Sequence, residues 1–185
     1  MDISLMLKLK MAYPDKDRNA SQISKHRGKG GAMNKKVIDL LNQARERELG
    51  AISQYMIHHY ELEDKDYGKL ASKLKETAIA EMKHAEKLAD RILFLHGEVS
   101  TKLAGKAMKG QEIPEMLKTD IGLESEAIQM YNEAAVICAA EKDQVSKDLF
   151  EDLLKDEEDH LNTFENIRDL VAKLGAPYLA TLTGK

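Results

Sequence analysis

Apolar positions recur with a helical period along four long stretches of the 185-residue chain. From Asn34, a plausible N-cap, to Leu62, the residues Leu41, Ile52, Tyr55 and Leu62 fall on heptad and half-heptad steps, one face of an α-helix. From Lys69 to His96 the stripe is Leu74, Ala78, Ala85, Leu88, Ile92 and Leu95, with Gly97 placed to end the helix. From Pro114 to Ala140 it is Leu117, Ile128, Tyr131 and Ala135. From an Asp143 N-cap to Leu174 it is Phe150, Leu153, Leu161 and Phe164. Gly175 closes this last helix, Pro177–Leu182 fits one short further turn, and the chain beyond it is expected to fray.

The connections decide how four such helices pack. Asp64–Gly68 is a turn, and the link before Asp143 is equally short. Gly97–Ile113 has three glycines and no helical period. A helix of ~28 residues is ~42 Å long, and 15 to 17 extended residues reach about 50 Å. That segment is therefore long enough to cross the whole length of a bundle and make the second and third helices parallel. The expectation is an all-α, antiparallel four-helix bundle over residues 33–175, with one long crossover and a short C-terminal segment over 176–185. Ahead of it, Ile3, Leu5, Leu7, Leu9 and Met11 alternate with a two-residue period that suits a short strand or an adhesive tail. Residues 14–32, rich in Asp, Lys, Ser and Gly, read as a linker, so residues 1–32 are expected to form a flexible extension.

Composition narrows the function classes. At 43% apolar and 32% charged, with three prolines, the chain suits one domain with a full core. No apolar run approaches ~18 residues, so no membrane span is expected. Cys138 stands alone, which excludes an internal disulfide framework, suits a reducing cytoplasm and reads as a small buried residue. Lys8, Lys10 and Asp2 do not suit a secretory signal. The net charge of −4 divides into a basic start and an acidic body; with no tryptophan and three phenylalanines this argues against nucleic acid as a partner.

Each apolar stripe is broken by ionisable residues. Glu81 and His84 form one E-x-x-H pair, and Glu157 and His160 form a second. A solitary Glu precedes each pair by 33 residues, Glu48 in the first case and Glu124 in the second. Tyr55 and Tyr131 each follow their solitary Glu by seven residues, and the two halves repeat at an offset of 76. Residues at i and i+3 of a helix lie about 60° apart, so a carboxylate and an imidazole there can grip one ion. One Glu from each of two helices plus an E-x-x-H from each of two others is the ligand set of di-iron carboxylate bundles, and its mixed oxygen and nitrogen field suits iron or manganese. One E-x-x-H alone is ordinarily a solvated helix face; two in register with two solitary glutamates on apolar stripes point to a metal centre. Asp120 and Asp156 are candidates to orient ligand histidines from behind. Tyr55 either donates an electron during oxidant reduction or fills the core.

The stretches Arg47–Tyr55, Glu81–Glu86 with Arg91–Leu95, and Asp156–His160 resemble bacterioferritin over about residues 33–174. The resemblance implies a ferritin-like fold in which Glu48, Glu81, His84, Glu124, Glu157 and His160 hold the di-iron ferroxidase centre, with Glu81 and Glu157 bridging. It implies iron storage and detoxification by oxidation of Fe(II) with O2 or H2O2, and a homo-oligomeric shell of 24 subunits built from dimers. It further implies a b-type haem held on a dimer two-fold by Met82 as axial ligand, with a small ferredoxin as reductant for iron release. On the residues alone, Met82 points away from the bundle interior and reads as packing filler. Family members with an inner-surface iron site carry His and Asp where this chain has Glu76 and Ala80. The rival readings are a non-storage di-iron enzyme that scavenges peroxide, and a haem-linked electron-transfer or structural shell.

Overall fold

The computed structural model describes residues 33–184. The strand or tail expected over residues 1–13 and the linker over 14–32 lie outside the described residues. Helices α1 (Met33–Asp64), α2 (Gly68–Phe94), α3 (Ile113–Ala140) and α4 (Gln144–Leu174) form the bundle, followed by the short α5 (Ala176–Thr181). Among the described residues no helix is long and apolar enough to cross a membrane.

Three of the helices end alike. After α1, the Tyr67 amide donates to the Leu62 carbonyl and the Asp66 amide to that of Glu63. The same pair of bonds closes α2 through Gly97 and His96, and α3 through Asp143 and Lys142. This closure puts Asp66, His96 and Lys142 in the left-handed region at φ of about 60°, where glycine is the usual occupant. It also explains why α2 stops at Phe94 rather than at the expected His96. The turns after α1 and α3 return the chain directly, so α1 pairs with α2 and α3 with α4.

The crossover does what its length suggested, and it is pinned along α1 in order. Asn42 binds the Glu98 carbonyl, the Ala104 amide donates to the Glu46 carbonyl, Gln54 bonds both backbone groups of Met108, and the Gly110 amide donates to Glu61. The segment thus runs beside α1 from its start to its end and delivers α3 antiparallel to α1. Gly50 lies under this strap, where a Cβ would overlap the Ala104 carbonyl oxygen. The strap also buries a second face of α1, so Gln54 and His58 are buried there while Ile52 on the expected stripe is only half-buried. Ile128, Leu161 and Leu95 are likewise half-buried.

Arg91 reaches Asp143 and Ser146, tying the end of α2 to the start of α4, where Asp143 caps the helix as expected. At the far end the Lys69 amide in the first turn of α2 donates to the Leu182 carbonyl, and the Gly184 amide to that of Asp66. The C-terminal segment is therefore hydrogen-bonded onto the α1–α2 turn, contrary to the expected fraying.

The core is two apolar clusters rather than one. Val37, Leu41, Leu88, Ile92, Phe150 and Leu153 belong to one, and Leu62, Leu70, Leu74, Met116, Leu117 and Phe164 to the other. Each buried Leu, Ile or Phe contributes about 1.5–3 kcal/mol by leaving water. The layer between the clusters is polar, and it holds the ionisable residues singled out above.

Candidate metal centre

Glu48, Glu81, Glu124 and Glu157 are all buried to within 2% of full enclosure. An ionised carboxylate in such a place costs several kcal/mol unless it is paired. The six residues converge in two overlapping groups: Glu48, Glu81, His84 and Glu157, and Glu81, Glu124, Glu157 and His160, with the ligand atoms of each group within 4.8 Å of one another. Glu81 and Glu157 belong to both groups. All four long helices contribute, and the E-x-x-H spacing puts each imidazole one turn along from its own Glu.

His84 Nδ1 lies 2.7 Å from Glu81 Oε2 and 3.0 Å from Glu157 Oε1, and His160 Nδ1 lies 2.9 Å from Glu81 Oε1. Yet Nδ1 of both histidines, both oxygens of Glu81 and Oε1 of Glu157 are buried without a hydrogen-bond partner of good geometry. The nitrogens and oxygens point at shared space instead of at each other. That is the arrangement a cation satisfies, and four carboxylates with two imidazoles suit iron in its hard and borderline forms.

Protons balance the charges of the metal-free site. Burial, reinforced by the neighbouring carboxylates, raises the pKa values of Glu48 and Glu124 well above the usual carboxylate range. Burial also opposes the charge on Glu157, but the two imidazoles outweigh it and bring that carboxyl down to about 2. The same carboxylates overcome burial at the histidines and lift His84 to about 11 and His160 to about 9. A cation entering the site therefore displaces protons.

The shell around the site is partly as expected. Asp156 accepts a hydrogen bond from His84 Nε2 at 3.1 Å, which leaves Nδ1 turned inward. Asp120 does not orient a ligand histidine; its carboxylate accepts from His58 Nδ1 at 3.0 Å under the crossover. Burial raises the Asp120 pKa and the His58 contact works against that rise. Tyr55 donates its hydroxyl to Glu124, on the opposite half of the site. Tyr131, absent from the expected site, donates to Glu48 in the mirror arrangement. Each ring is braced alike, Tyr55 on Phe164 at 5.7 Å and Tyr131 on Phe150 at 5.6 Å, both at 46°. The repeat that places Tyr131 seven residues after Glu124 was the signal that could have found it. Burial raises both phenols well above their usual value, so they stay neutral donors.

Met82 is 56% exposed on the outer face of α2, near the exposed Ile79. Glu76 is paired with Lys73 at 3.0 Å on the surface. Cys138 is buried, and burial pushes its thiol up to about 11, which leaves it inert.

Residues 38–174 match the ferritin-like domain family. The bacterioferritin of Desulfovibrio desulfuricans is 44% identical over 149 residues, which cover 80% of this chain and 83% of that protein. The chain belongs to the bacterioferritins. That of Brucella melitensis is 43% identical over 140 residues, 76% of this chain and 87% of the relative. A crystal structure of the Desulfovibrio desulfuricans bacterioferritin, describing its di-iron site in different catalytic states, superposes with a TM-score of 0.81 at 42% identity, covering 83% of this chain and 90% of that one.

Proposed function

We propose that this bacterioferritin oxidises Fe(II) at an intrasubunit di-iron centre and stores the product as mineral inside a homo-oligomeric shell. The observation that carries the reading is the buried set of unpartnered donors, all aimed at shared space between two apolar clusters. In this reading one iron is held by Glu48 and His84 and the other by Glu124 and His160, with Glu81 and Glu157 shared. The iron pair supplies two electrons to O2 or H2O2. The protein's part is to gather ligand groups that hold protons until a cation displaces them, and to keep bulk water out with the flanking apolar layers. Tyr131 and Tyr55 hold the solitary carboxylates Glu48 and Glu124, and Asp156 holds His84, so the ligand atoms are oriented before iron arrives. As a neutral phenol beside the site, Tyr55 is also the residue suited to give up an electron.

On the outer face of α2, the exposed Met82 thioether beside Ile79 suits the axial position of a b-type haem shared with the Met82 of a second copy. The haem would carry electrons from a small ferredoxin for iron release. Phe94, 71% exposed, and the exposed Val136 and Val145 support association of copies, in keeping with a 24-subunit shell in the cytoplasm.

The test is iron retained per subunit after anaerobic Fe(II) loading, exposure to O2 or H2O2, and gel filtration. Many irons per subunit, in a particle far larger than a dimer, is the expected result. About two irons in a small oligomer would favour a peroxide-scavenging enzyme, and none would overturn the assignment. Met82→Leu should remove the haem absorbance and leave iron oxidation intact.

A further inference from the structure

The 76-residue repeat relates Glu48 to Glu124, Glu81 to Glu157, His84 to His160 and Tyr55 to Tyr131. The symmetry extends to the carboxylate–tyrosine bonds, which cross from each half to the other. It fails one step before the shared glutamates. Asp156 precedes Glu157 and holds His84 Nε2 at 3.1 Å, whereas its counterpart before Glu81 is Ala80, whose methyl group offers His160 no acceptor.

Burial follows the same division. The His84 side chain is 3% exposed and that of His160 is 17%. Both rings border a cleft of about 270 Å³ between α2 and α4, whose wall also includes Ala80, Lys83, Lys87, Asp156 and Asp159. The wall carries two cations and two carboxylates, so its net charge does not hold an ion there. Ala80 lines this cleft with a methyl group where its repeat counterpart is the carboxylate of Asp156.

We infer that the two ion positions are unequal: the one built on Glu48 and His84 retains its metal, and the one built on Glu124 and His160 exchanges it, with Asp156 and Ala80 setting the difference. A carboxylate behind a ligand imidazole fixes the ring and strengthens the nitrogen that faces the ion, and removing such a partner costs 10–100-fold in metal affinity. The expected ratio between the two positions is therefore about 10–100. The inference rests on the six residues being the di-metal ligands, as proposed above.

The experiment is an anaerobic titration of the metal-free full chain with Co(II), read by its visible absorption, with Zn(II) calorimetry as a second readout. Two steps of one equivalent per subunit are expected, separated by about 10–100-fold. Ala80→Asp should tighten the second step by about 10-fold and leave the first in place. Asp156→Asn, close in shape, should weaken the first step until the two merge, and it keeps the test decisive if the aspartate at position 80 disturbs folding. Two indistinguishable steps in the wild type, or a separation unchanged by Asp156→Asn, would overturn the inequality alone. No Co(II) uptake at all would instead overturn the site reading beneath it.

Discussion

Replacing Glu81 with leucine should destabilise the metal-free protein and abolish its response to metal. Glu81 is 1% exposed, neither oxygen has a hydrogen-bond partner, and it shares both ligand groups with Glu157, one of them with Glu48 and the other with Glu124. Its oxygens lie 2.7 Å from His84 Nδ1 and 2.9 Å from His160 Nδ1, so with Glu157 it balances the two imidazoliums of the metal-free site. Removing one partner of a buried ion pair leaves the other charge uncompensated and typically costs about 3–5 kcal/mol. Leucine at 81 would continue the buried stripe of Ala78 and Ala85 and recover part of this by apolar burial, so a net loss of about 2 kcal/mol is expected, which for a domain of this size lowers Tm by about 4–8 °C. The assay is thermal unfolding followed by helical circular dichroism at one protein concentration, with chelator and with Zn(II). The unmodified chain should gain about 2.7 kcal/mol at a metal concentration 100 times Kd, and the variant nothing. An unchanged or higher Tm for Glu81→Leu in chelator would falsify the claim that Glu81 helps balance the imidazoliums of the empty site.

Tyr131→Phe and Tyr55→Phe each leave a buried glutamate oxygen without its donor, and each should cost about 1–3 kcal/mol in the metal-free protein by denaturant titration; the mirror geometry requires the two losses to be alike. Gly50→Ala should destabilise by about 1–3 kcal/mol, because the added methyl overlaps the Ala104 carbonyl and must push the crossover off α1; protease cleavage within residues 98–110 should rise with it. Asp143→Ala removes the N-cap of α4 and a partner of Arg91, at a cost of about 1 kcal/mol at pH 7. Burial alone would raise the Asp143 pKa, but the Ser146 amide and hydroxyl and the Arg91 guanidinium outweigh it and hold it below its ordinary value. Its stabilising effect is therefore full above the unfolded value of about 3.9 and fades as pH falls through the folded value, so the two proteins should converge in stability at strongly acid pH. A difference that persists undiminished there would refute the assignment.

Much of the bundle was legible because helices are local objects. The stripes, the Asp143 cap and the length of the crossover followed from spacing and reach. The ends of α1 and α2 were misjudged by two residues each, where the chain closes them with Asp66 and His96 in the left-handed region, a conformation with no strong signature in those residue types. The inward face of α1 was read too narrowly for a different reason. Its second buried face exists only because the crossover lies on it, so no spacing along α1 marks Gln54 and His58 as buried. Asp120 was misassigned on the same account, since its partner His58 is a neighbour in space and not in sequence.

The sequence by itself determined that four helices form and that each carries its ionisable residues on an apolar stripe, because helical geometry turns spacing into direction within a few residues. The repeat of 76 residues likewise announced a pseudo-two-fold arrangement. Only the tertiary structure decided how the halves interlock: Tyr55 serves Glu124, Tyr131 serves Glu48, and Glu81 and Glu157 stand in both groups. It also decided that Asp156 backs His84 while Ala80 leaves His160 beside a cleft. These are relations between side chains on different helices, set by how the helices pack and rotate against one another, and spacing along one chain carries no direct record of that angle.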